Sequence, residues 1–150
     1  MKGVLIVKTN LRKIIFSLIF FTNSNLYAAW EIQTVELGKG EMSGYISMAF
    51  DTNNYPHISY YGLKKGDLKY AKWNGSVWEI QTVDSEGDVG LFTSIKLDTN
   101  NYPYISYCDS TNGSLKYAQW TGSHWKIETV DRGVGIVTGL YTSLAIDANN

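Results

Sequence analysis

An all-β repeat architecture is predicted for this chain, and three observations predict it. Residues 55–78, YPHISYYGLKKGDLKYAKWNGSVW, return forty-seven residues later at 102–125 as YPYISYCDSTNGSLKYAQWTGSHW. Setting 47–76 against 94–123 gives 18 identities in 30 ungapped positions. From Trp30 onward apolar residues alternate with polar ones between turn residues, and no run at spacings of three and four is long enough for a helix. Self-similarity at a period of this size is the signature of arrays such as β-propellers, whose units bury their apolar faces only against neighbouring units. The expected fold is therefore a β-propeller of four-stranded blades, each about 47 residues long, of which this chain holds about two and a half. A β-sandwich is the rival, but a sandwich needs no near-identical units.

Taken in order, residues 1–28 read as a secretory signal peptide. A basic start is followed by an apolar run from Ile14 to Phe21 and then by Leu26-Tyr27-Ala28-Ala29, with small residues at the cut. The eight residues of this run, apolar but for Ser17, span about 12 Å as a helix, well short of a hydrocarbon core of about 30 Å. Cleavage after Ala28 and a secreted or periplasmic protein are expected, with no membrane span once the signal is removed. All fourteen acidic residues follow residue 28, but only nine of the thirteen basic ones do, a balance of −5. A nucleic acid would meet net repulsion and no basic stripe, which makes it an unsuitable partner.

The remainder, 29–150, is expected to form the partial propeller. Trp30 to Val35 repeat the sequence of Trp78 to Val83, so the segment opens on an orphan outer strand, 30–35. Blade one is expected at 45–83, blade two at 92–130, and the start of a third at 141–150. The first strands are Ser47 to Asp51, Ser94 to Asp98 and Ser143 to Asp147, each with apolar residues at alternate positions. Asp51-Thr52-Asn53-Asn54 and its copy then turn the chain, because Asp and Asn hydrogen-bond their own backbone and tolerate left-handed conformations. Pro56 or Pro103 opens the second strands, His57 to Tyr61 and Tyr104 to Cys108. The third strands are Leu68 to Trp73 and Leu115 to Trp120, and turns at Asn74-Gly75 and Thr121-Gly122 deliver the fourth, Trp78 to Val83 and Trp125 to Val130. Two full units and an extra strand at each side are too few to close a ring of four to eight blades. The chain is then either a fragment of a longer propeller or a protomer of a homo-oligomer that completes its ring with copies of itself.

The pattern S-x-x-x-D-x-x-N-x-P-x-I-S-Y, then G-x-L-K-Y-A, then W-x-G-x-x-W-x-I-x-T-V resembles the repeats of secreted bacterial β-propellers of the broad sialidase-like and TolB-like group, from Trp30 to Asn150. That resemblance implies the fold, in a group that includes enzymes, sugar binders and proteins of no known activity. The repeat departs from the sialidase Asp-box, S-x-D-x-G-x-x-W, since Ser47 and Asp51 stand four apart and no Trp closes the turn. Sialidases hold their substrate carboxylate with three arginines. Beyond residue 28 this chain has only Arg132. The W-x-G-x-x-W turn is also similar to that of tryptophan-rich two-blade lectins that trimerise into six-bladed rings.

Two functions stay open. The first is an exported binding or interaction module for a glycan or protein ligand. All five tryptophans fall at repeat positions, and an indole offers the flat apolar surface on which a sugar ring stacks. Trp73, Trp78, Trp120 and Trp125, with Tyr60 and Tyr107, are the candidate ligand-binding residues; cross-strand packing is the competing role. The second is a piece of a propeller enzyme, a glycosidase or lyase, whose catalytic residues lie beyond residue 150. Within 150 residues no catalytic constellation stands out and no cofactor is expected. Asp51 and Asp98 have the oxygen-rich spacing of a calcium loop but lack its mid-loop glycine and distal glutamate, so they read first as turn formers. His57 and His124 are expected on the surface, and the single cysteine, Cys108, half-buried in a strand.

Overall fold

The computed structural model describes residues 5–7, 31–35 and 43–147. All of its regular structure there is β. Two four-stranded antiparallel sheets form consecutive propeller-like blades, each a simple meander. A short pair, β1 (Leu5–Val7) and β2 (Glu31–Gln33), forms a separate two-stranded sheet, so the orphan strand pairs with residues from the segment expected to be cleaved. Blade one contains β3 (Ser43–Phe50), β4 (Pro56–Gly62), β5 (Asp67–Trp73) and β6 (Trp78–Asp84). Blade two repeats it with β7 (Val89–Leu97), β8 (Pro103–Asp109), β9 (Ser114–Trp120) and β10 (Trp125–Arg132).

The turns form for the reasons the sequence suggests. Asp51 Oδ1 accepts from the N–H groups of Asn53 and Tyr55 at 2.9 and 2.8 Å, and Asp98 Oδ1 accepts from those of Asn100 and Tyr102, both at 2.8 Å. Asn54 and Asn101 take the left-handed conformation, at φ 61° and 64°. At the hairpin ends Trp73 lies opposite Trp78, and Trp120 opposite Trp125. Both pairs of rings have centroids 5.5 Å apart.

Each first strand starts earlier than the alternation of apolar residues suggests, because a bulge extends it. The register shifts between Gly44 and Ser47, and again in β7 between Val89 and Ser94. At the bulges, Tyr45 and Phe92 have φ of 51° and 54°, and Tyr141 repeats the conformation at 54°. Their rings form a column with centroids 4.4 and 4.6 Å apart. Ser143 to Asp147, expected as a strand, do not form one in the structure.

Blade two packs on one face of blade one, in a way the strand register explains. Residues opposite one another across a sheet share a face. Ala49, His57, Lys72 and Glu79 make one row on this face, and Ser47, Ser59, Tyr70 and Gln81 the next. Blade two answers with its apolar row, Ile95, Ile105 and Ala118, all but sealed from water and forming a core with Leu68, Tyr70, Val83, Val89 and Tyr107. Polar groups fix the register between the blades: the Ile95 N–H donates to Ser47 Oγ at 3.1 Å and Thr93 Oγ1 to Ser59 Oγ at 2.8 Å. The same bonds recur one unit later, from the Leu144 N–H to Ser94 Oγ and between Ser106 and Thr142. A smaller cluster of Ile58, Tyr60 and Ala71 lies on the far face of blade one, covered by Trp78 and Val35.

Two placements correct the sequence reading. His57 is 1% exposed and not a surface residue, because β4 is central in its sheet and its face is roofed by blade two. Cys108 is fully buried, beneath Gly139 and with its thiol 3.4 Å from the Thr138 carbonyl oxygen. Its repeat partner, Tyr61, instead reaches out to donate to Asp88 at 2.6 Å. The connector position matching Asp88 is Val137, so the Tyr–Asp pair of one junction is replaced by Cys and Val at the next.

Candidate functional site

Where the two blades diverge, at the end marked by the aspartate turns, a groove of about 340 Å³ opens between them. Blade one contributes Asp51, His57, Tyr70, Lys72, Glu79 and Gln81. Across from them stand Asn100, Asn101, Tyr102, Pro103 and Trp120 of blade two. Hydrogen bonds tie the blades beside this opening. The Thr52 N–H donates to Asn101 Oδ1, and Asn101 Nδ2 to Thr52 Oγ1, both at 3.0 Å, while Trp125 Nε1 donates to Gln81 Oε1 at 2.9 Å.

The local sequence accounts for each wall. β4, β5 and β6 carry His57, Lys72 and Glu79 directly opposite one another, so three polar side chains line up across three strands. The hairpin end of β9 brings Trp120 to the rim, and the turn before Pro103 holds Tyr102, which is 38% exposed. The groove therefore has aromatic surface on one side and amides, an ammonium and carboxylates on the other.

His57 is the most constrained of these groups. Its Nδ1 and the Tyr70 hydroxyl share a hydrogen bond of 2.6 Å, and its Nε2 is buried with no hydrogen-bond partner among the described residues. Nε2 lies 3.7 Å from Asp51 Oδ2, beyond hydrogen-bonding distance. Burial, reinforced by the Lys72 charge and opposed by Asp51, lowers the imidazole pKa to about 4, so the ring is neutral at pH 7. With the Tyr70 phenol donating to Nδ1, the ring proton lies on Nε2, facing the Asp51 carboxylate; the other tautomer would set a lone pair against that charge. Burial, followed by Glu79 and Asp51, raises the Tyr70 phenol, which stays protonated.

Of the residues the sequence singles out, Trp120 and Asp51 line the groove and the others take different positions. Trp125 packs edge-on against Tyr70, with centroids 5.2 Å apart, and joins the core between the blades. Trp78 covers the smaller cluster, and its Nε1 has no hydrogen-bond partner among the described residues. Trp73 stacks on Trp78. Tyr60 is 4% exposed, and Tyr107 is fully buried, its hydroxyl donating to Asp84 at 2.7 Å, so neither offers a face for stacking. Asp51 and Asp98 cap their turns, and no group of three or more His, Cys, Asp or Glu able to hold a metal occurs among the described residues. The residues missed by sequence reasoning are His57, Lys72, Glu79, Gln81, Asn100, Asn101 and Tyr102. Four of these carried a signal, since they fall where the otherwise matching repeats differ in polar residues: His57 against Tyr104, Lys72 against Gln119, Glu79 against Lys126 and Gln81 against Glu128. No protein-family model matches the chain, and no curated protein sequence matches it. Among solved structures it is similar to a fucose lectin from Kordia zhangzhouensis in complex with methyl-fucoside, at 20% identity and a TM-score of 0.45 over 70% of this chain and 75% of that one.

Proposed function

We propose that this is an exported β-propeller module that binds carbohydrate in the groove between its blades. One observation carries the reading: the groove sets the Trp120 and Tyr102 rings, with Asn100 beside them, against Lys72, Glu79 and Gln81. A sugar needs this combination, an aromatic surface for its C–H face and both donors and acceptors for its hydroxyls. At about 340 Å³ the space falls at the small end of the range for small-molecule sites, about 300–1,000 Å³. Export is supported by the basic, apolar and small-residue pattern of 1–28, and secreted material with an intact mass beginning at Ala29 is the expected result.

Titrating a panel of oligosaccharides while following tryptophan emission tests the binding reading. A responding sugar should lose affinity about tenfold in Trp120→Ala, the loss expected for one stacked ring. Trp73→Ala, remote from this groove, should leave that affinity unchanged. Folded protein that responds to no sugar on a broad panel would overturn the proposal.

A further inference from the structure

The two blades present the same backbone to their neighbours but different chemistry. On blade two the row matching His57, Lys72 and Glu79 is Tyr104, Gln119 and Lys126, and Glu128 replaces Gln81. These groups satisfy one another: the Tyr104 hydroxyl donates to Asp98 Oδ2 at 3.4 Å and accepts from Gln119 Nε2 at 3.0 Å, while Lys126 pairs with Glu128. Blade one leaves two of the matching groups without such partners. Among the described residues His57 Nε2 has no hydrogen-bond partner, and the Lys72 ammonium makes neither an ion pair nor a hydrogen bond. An oxygen that displaced the side chains covering His57 Nε2 would accept from it and donate to Asp51 Oδ2, 3.7 Å away. A sugar hydroxyl has that dual character; a carboxylate does not.

We propose that His57 and Lys72 make the blade-one face a ligand wall, which the matching face of blade two is not, and that the ligand is a neutral sugar, one hydroxyl of which bridges His57 and Asp51. The proposal rests on the carbohydrate reading above. Charge supports the neutral class, because the groove lining carries Asp51 and Glu79 against Lys72 and so holds one negative charge in excess. A uronic acid would add a second negative charge to that excess.

The repeat itself supplies the variant. His57→Tyr with Lys72→Gln installs on blade one the pair that blade two already accommodates in the same backbone. In the full chain, with neutral and uronic-acid oligosaccharides as probes, the wild type should bind a neutral member and prefer it over its uronate analogue. The double variant should bind at least about tenfold more weakly, and Lys72→Gln alone about threefold or more. Tyr104→Phe, on the face of blade two turned away from the groove, should stay within twofold of wild type. Double-variant binding within twofold, or a preference for the uronate, overturns this inference and leaves the carbohydrate reading standing. A folded wild type that binds no sugar overturns both. If the double variant does not fold, Lys72→Gln decides: unchanged affinity refutes the proposal.

Discussion

Acidification from pH 7 to 4.5 should cost this fold about 2 kcal/mol through one side chain, His57. The imidazole is 1% exposed, and burial first and Lys72 second bring it down from 6.5 to about 4. The unfolded chain therefore takes up a proton on this ring as the pH falls below 6.5, while the folded protein refuses it until about 4. Because the unfolded state binds more protons across that window, stability is complete above 6.5 and declines as the pH falls toward 4. A shift of roughly 2.5 units at 1.36 kcal/mol each gives about 3.4 kcal/mol over the whole titration, of which about 2 is lost between pH 7 and 4.5. Urea unfolding at half-unit steps between pH 4.5 and 7.5 measures it, with His57→Tyr as the control that removes the ring. A wild-type free energy flat to within about 0.5 kcal/mol, or a decline of equal size in His57→Tyr, would refute the reasoning.

Two further outcomes follow from the junction between the blades. Lys116 Nζ reaches Asp84 Oδ2 at 2.6 Å in a buried pair that also accepts from the Tyr107 hydroxyl. Burial acts to raise the Asp84 carboxyl, but the hydrogen bonds from Lys116 and Tyr107 outweigh it and hold the group below its ordinary range. Asp84→Ala, which leaves the Lys116 ammonium buried and unpaired, should destabilise the protein by about 3–5 kcal/mol in urea unfolding at pH 7; a loss under about 1 kcal/mol would contradict that burial. Cys108 is fully buried, and burial with Asp109 and Asp88 nearby raises its thiol. The native protein should resist an aromatic disulfide reagent at pH 8 and release one thiol equivalent only on denaturation.

The fold was legible because its punctuation is chemical. The Asp-Thr-Asn-Asn-Tyr-Pro turns, the glycines of the hairpins and the paired tryptophans each act within a few residues of themselves, and local sequence reports local geometry. What the sequence concealed arises between units. His57 looks like a strand residue with a polar side chain, and only the stacking of blade two on β4 makes it buried. Trp120 and Trp125 stand on opposite sides of one hairpin with equal claims as sugar platforms. The cross-strand pairing turns Trp125 inward onto Tyr70 and leaves Trp120 at the groove. Asn100 and Tyr102 belong to a turn whose function in the backbone is plain, while their facing Gln81 across the groove depends on blade packing.

The bulges bring consecutive units into close backbone contact. A bulky residue held at positive φ costs on the order of 1–3 kcal/mol, and Tyr45, Phe92 and Tyr141 all adopt it. Their ring contacts return about 0.5–1.5 kcal/mol for each pair, which does not by itself justify keeping the strain at every unit. The bulge is retained for what lies next to it. In β7 it brings Gly90 so close to blade one that an added Cβ would stand 2.8 Å from the Leu68 Cα, and it places Thr93 on Ser59. Gly139 meets Leu115 at 3.0 Å in the same way one unit later. This end of each blade is thereby pressed backbone to backbone against its neighbour. Toward the aspartate turns the row is Ala49, His57, Lys72 and Glu79. At that end the blades are joined through side chains, Thr52 to Asn101, and Lys72 and Glu79 line the space beside this link.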